Sequence, residues 1–153
     1  MQKLKLELTP GQGCLPIRLG ILRQFSRIEM ENIGLPPADS HGSLDYYHNN
    51  SIQIAFDDDD RSSFIGIATD KEIELLFRGH DLFKMPAREV FNIISKFETD
   101  NSVEFNEDGC IFPGQIITLW EADDQYDWYT DGTTETWGQI GVGSETYLKA
   151  ISN

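Results

Sequence analysis

The reading of the fold turns on "SIQIAFDDDDRSSFIGIA", Ser51–Ala68. Ile52, Ile54 and Phe56 alternate with Gln53 and Ala55, a period of two that puts the apolar side chains on one face of a strand. Asp57, Asp58, Asp59 and Asp60 interrupt the run, and Phe64, Ile65 and Ile67 form a second apolar run around Gly66. Two short runs joined by a charged turn predict a β-hairpin with an acidic tip. A longer version of the same order lies downstream, "QIITLWEADDQYDWYTDGTTETWGQIGVG", in which "DDQYDWYTDGTTE" reads as a long acidic loop between two strands.

Each hairpin follows a helical pattern. In "ILRQFSRIEMENIG" (Ile21–Gly34), Leu22, Phe25, Ile28 and Ile33 form an apolar stripe, and Arg23, Arg27 and Glu31 form a polar one. Gly34 and the Pro36–Pro37 pair end that helix. "MPAREVFNIISKF" (Met85–Phe97) is the clearer case, with Pro86 suited to a first turn and Val90, Phe91, Ile94 and Phe97 on one face. "KLKLELTP" (Lys3–Pro10) alternates as a half-buried strand, and "KEIELLFRG" reads as another. "PPADSHGS" reads as a loop, "SVEFNEDGCIF" as two short strands about a turn, and "SETYLKAI" as either a short helix capped by Ser144 or a further strand. The expectation is one α+β domain over residues 1–153, an antiparallel sheet with helices packed on one face. Two tandem helix-plus-hairpin repeats, about 1–80 and 81–153, would generate it.

Charge is unevenly distributed. The chain carries a net −14, but residues 97–153 hold twelve carboxylates against the single base Lys149. From Phe97 to Leu148 there is no Lys, Arg or His. Such a surface excludes the counterion-release binding that nucleic acids require, and it repels anionic membranes. It attracts basic partners. No apolar run approaches the ~20 residues of a membrane-spanning helix, and the start lacks a signal-peptide core, so a cytoplasmic protein is expected. Cys14 and Cys110 read as thiols that pack as small apolar groups.

Metal and catalytic patterns are weak. Asp57–Asp60 lack the alternate ligand positions, Gly and terminal Glu of a calcium loop, and Asp123 to Glu135 miss its spacing. His41, His48 and His80 lie in different segments, with neither Cys at zinc-ligand spacing. No cofactor or metal is therefore expected, and no nucleophile motif is present. Glu121 beside tryptophans leaves open a small acidic hydrolase acting on glycans. A homo-oligomeric module paired through edge strands is a further alternative. Binding fits the composition best, because interface anchors favour Trp and Tyr with charge around them. The expected contact comprises Asp123, Asp124, Asp127 and Asp131, with Tyr126 and Trp128 as anchors exposed in the loop. Asp57–Asp60 would extend the field if both hairpins point the same way. Trp120 and Trp137, in strands, are expected in the core.

Three passages carry a resemblance: "LTPGQGCLPIRLGILRQFSRIEMENIGLPP", "IQIAFDDDDRSSFIGIA" and "LFRGHDLFKMPAREVFNII". Over about residues 4–97 the chain resembles small bacterial proteins, some similar to immunity proteins of polymorphic-toxin and contact-dependent inhibition systems. The pattern's usual "LGM" is "LGI" here, at Leu19–Ile21. The resemblance implies a non-enzymatic cytosolic protein that binds and blocks a cognate toxin. Many such toxins are nucleases with basic active sites, which an acidic inhibitor can occupy as a phosphate mimic.

Overall fold

The structure, a computed structural model, describes residues 3–126 and 133–152, without the side chains of Gln125 and Tyr126. It is an α+β fold whose strands divide between two sheets rather than lying in one. The first sheet is built on β1 (Leu4–Thr9), β2 (Gly13–Leu15), β3 (Ile17–Arg18), β8 (Ile73–Phe77) and β9 (His80–Asp81), in the order β3-β2-β1-β8-β9. Its β1·β8 pairing is parallel, Leu6 opposite Leu75.

The second sheet contains β4 (Asp39–His41), β5 (Leu44–Tyr47), β6 (Ile52–Phe56), β7 (Ser62–Ala68), β10 (Gly109–Phe112), β11 (Ile117–Tyr126) and β12 (Thr133–Gly143). All its pairings are antiparallel, in the order β10-β11-β12-β7-β6-β5-β4. The two hairpins thus stand side by side and meet at β7·β12, where Gly66 faces Gly141.

Among the described residues there are three helices, α1 (Arg23–Asn32), α2 (Ala87–Ser95) and α3 (Glu145–Ile151), with a 3₁₀ turn at Leu82–Lys84. One hydrophobic cluster draws on both sheets and both longer helices, from Leu6, Leu75 and Phe77 to Ile54, Ile65, Ile140, Val90 and Ile94. α2 packs on this core face as its periodicity predicts, burying Val90, Phe91 and Ile94. Phe97 is 43% exposed, capped by the Arg78 guanidinium 3.7 Å above its ring.

The helices do not share one face of the sheet. Phe64 points away from the core neighbours Ile65 and Ile67, over Gly141, where a Cβ would come within 2.4 Å of its ring. Tyr147 of α3 stacks on Phe64 at 4.6 Å, which places α3 on the outer face. Ser144 caps α3 as expected, its Oγ accepting from the Tyr147 N–H.

α1 also departs from its pattern. Phe25 and Ile28 are about half exposed, while Ser26 and Met30 are buried. The cause is Asp45, fully buried on β5. Arg23 Nη2 donates to it at 2.6 Å, Arg27 Nε at 3.0 Å, and Ser40 Oγ at 2.7 Å. A buried carboxylate must be paired, so the helix turns its arginines inward and its aromatic residue out. Burial alone would raise the Asp45 pKa; the hydrogen bonds from Arg27, Arg23 and Ser40 more than offset this and hold it at about 2.

Smaller departures follow from pairing. Asp39–His41 forms an exposed edge strand instead of a loop, and only Gly109–Phe112 is a strand within the segment read as two. The acidic loop is also shorter than expected, because β11 runs through Asp123 and Asp124 to Tyr126 and β12 begins at Thr133.

Candidate functional site

The second hairpin's far end is where carboxylates collect. β11 leaves the core regularly, with Ile117 and Leu119 buried and opposite Val142 and Ile140. At Glu121, opposite Gly138, the backbone takes φ +52°. Beyond this point the faces exchange. Ala122 packs at the core, and its partner Trp137 is 2% exposed, with its indole N–H donating to the Ala87 carbonyl at 2.9 Å. Trp120, before the switch, stays on the outer face at 47% exposure. Of the two strand tryptophans expected in the core, Trp137 is there and Trp120 is not.

A third segment joins this end of the sheet. The Glu121 N–H donates to the Asp108 carbonyl at 3.3 Å and the Ala122 N–H to the Glu107 carbonyl at 2.7 Å. The turn before β10 therefore runs beside β11 and adds two exposed carboxylates that sequence spacing did not connect. Glu107, Asp108, Glu121, Asp123, Asp124 and Glu135 now share one end of three strands. Asp124 faces Glu135 directly across the pair, a like-charge contact that costs up to about 1 kcal/mol. No base lies in the sequence between Phe97 and Leu148 to relieve it.

Trp120 borders an apolar groove of about 390 Å³ on the outer face, with Cys110, Thr118, Tyr147 and Ile151. Its ring lies against Gly109, where a Cβ would approach to 2.8 Å. Glycine at this position lets the indole lie flat on the β10 backbone. The arrangement is an aromatic platform bordered by Asp108.

The expected site residues are divided by the fold. Asp123 and Asp124 are exposed on β11. Tyr126 ends that strand, but its side chain, like Asp127, Trp128 and Asp131, lies outside the described residues. Asp57–Asp60 sit at the opposite end of the sheet, because β7 and β12 run antiparallel. Asp124 is level with Glu135, and Phe64 with Gly143. Those β12 positions are about 26 Å apart along the strand, so the two hairpins do not point the same way, as extending one acidic field would require.

The first tip is also occupied with its own structure. Asp57 Oδ1 accepts from the Asp59 and Arg61 N–H groups at 2.9 and 3.1 Å. The Asp60 carbonyl accepts from the Arg23 N–H, at the start of α1. Burial raises both thiols, Cys14 to about 12, which keeps them protonated and poorly nucleophilic at neutral pH.

No helix among the described residues is long and apolar enough to cross a membrane. No family model matches the chain, and no curated protein or solved structure matches it.

Proposed function

We propose that this chain is a non-enzymatic binding protein that neutralises a basic, nuclease-like toxin, and so acts as an immunity protein in the cytoplasm. The observation that carries the reading is the gathering of six carboxylates at one end of three strands, in a region whose sequence holds no base, with Trp120 exposed nearby. Folding alone gives no reason to gather like charges on adjacent strands, where they repel. A cationic partner turns that cost into attraction, and a bared indole beside the charges supplies the apolar anchor that interfaces favour.

The contact comprises Asp123, Asp124 and Trp120, with Glu107, Asp108 and Glu121 along the rim. Tyr126, Asp127, Trp128 and Asp131, which follow Asp124 in the sequence, belong to the same contact in this reading. Asp57–Asp60 are left out of it. Nucleic acid and anionic membranes are not partners in this reading, because both carry the charge of the surface they would meet.

The test begins with the tagged protein and lysate of its own source, at ~50 mM and ~500 mM salt, between which the screening length falls about threefold. A basic protein retained at low salt and weakened at high salt is expected. It should then bind in purified form, and Trp120→Ala should weaken it about tenfold or more. A partner whose purified affinity ignores both salt and Trp120→Ala would contradict the reading.

A further inference from the structure

The fold assembles a second constellation, away from the acidic end, where the two sheets adjoin. His48 lies in the turn between β5 and β6, and Asp70 and Glu72 lie in the connection from β7 to β8. One ligand atom from each falls within 4.8 Å of the other two. All three residues are partly buried. We propose that His48, Asp70 and Glu72 form a binding site for a divalent transition-metal ion of the zinc type.

The decisive atom is His48 Nε2. It is shielded from solvent and makes no hydrogen bond. Its nearest charged neighbour is Asp70 Oδ2 at 3.6 Å, too far for a hydrogen bond. That separation matches a shared ion instead. Two ligands at ~2.1 Å from a tetrahedral centre stand about 3.4 Å apart. A buried imidazole nitrogen left bare is costly, and coordination would satisfy it.

The Asp70 carboxylate is held ready from behind. Asp70 Oδ1 accepts from the Glu72 N–H at 2.8 Å, which leaves Oδ2 turned to His48. The Glu72 carbonyl accepts from the Leu4 N–H at 2.8 Å, tying this segment to β1. Such outer hydrogen bonds orient metal ligands. A groove of about 840 Å³ bordered by His48, Glu72, Glu74, Lys3 and Lys5 gives access from solvent and room for water as a fourth ligand. One imidazole with two carboxylates selects zinc-like ions over magnesium or calcium, which prefer oxygen alone. The spacing rules for zinc motifs miss this site because its ligands come from two separate connections. The proposal is independent of the partner reading above.

The test is titration of the chelator-treated full chain with Zn²⁺ against a chromophoric competitor, beside His48→Gln, Asp70→Asn and Glu72→Gln. One ion per chain is expected, with affinity reduced at least tenfold in each variant that keeps the wild-type circular dichroism. Co²⁺ should give the strong visible absorption of a four-coordinate site, lost in His48→Gln. Zn²⁺ should also raise the thermal midpoint of the wild type but not of Asp70→Asn. Absence of binding, or binding undiminished in the folded variants, would overturn the site, the second outcome assigning the ion to the exposed acidic turns.

Discussion

The two hairpins of the second sheet share a sequence pattern and use their acids in opposite ways. Around the first, carboxylates have assigned work. Asp57 closes its own turn, and Asp45 on the neighbouring β5 holds two arginines and a serine. Around the second, Asp124 faces Glu135 and the nearest added segment brings Glu107 and Asp108. Paired acids at one end stabilise the fold, and clustered acids at the other oppose it. The difference teaches that acidic composition alone does not mark a binding surface; the partners each carboxylate already has must be known first.

The comparison is broken most forcefully at its paired end. Arg23→Met removes the 2.6 Å contact to a carboxylate with no solvent access. It should cost about 3 kcal/mol in urea unfolding, the penalty of a buried charge left half compensated. The same arithmetic gives a pH dependence. Asp45 sits at about 2 in the folded protein against about 3.9 unfolded. Its pKa is depressed by folding, so its contribution, on the order of 2 kcal/mol, is present above the unfolded value and is lost as pH falls through about 2. Unfolding free energies measured from pH 5 to pH 2 should therefore fall more steeply in the wild type than in Asp45→Asn.

The clustered end predicts smaller changes of opposite sign. Asp124→Lys places a cation opposite Glu135 and should raise stability by up to about 1 kcal/mol in the same assay. Smallest is the salt effect. Raising salt from ~50 to ~500 mM should increase the wild-type thermal midpoint by a degree or two, and less in Asp123→Lys/Asp124→Lys, because less repulsion is left to screen.

Local elements were legible in the sequence because their signals are local. β1 alternates, α2 has a complete apolar face, Ser144 is a good cap, and both hairpins announce themselves. What could not be read depends on contacts between distant segments. The inward face of α1 is set by Asp45, which lies outside the helix and buries a charge. Trp137 lies in the core as expected of a strand tryptophan, but Trp120 does not, because the backbone irregularity at Glu121 exchanges the faces between them. The parallel β1·β8 pairing, which splits the strands into two sheets, joins Leu4 to Ile73 across most of the first half. The acidic stretch was visible from composition, but its union with Glu107 and Asp108, and its separation from Asp57–Asp60 at the other end of the sheet, follow from strand order.

That separation supplies the most direct test of the central claim. Asp123→Lys/Asp124→Lys and Asp58→Lys/Asp59→Lys change net charge equally, at opposite ends of one sheet. Affinity for the basic partner would be measured by calorimetry for both pairs and the wild type at ~100 mM salt. The account predicts a loss of about a hundredfold for the first pair and less than threefold for the second. Equal losses would make the attraction a matter of net charge, and a larger loss at Asp58 and Asp59 would place the contact at the other end; either result would contradict it.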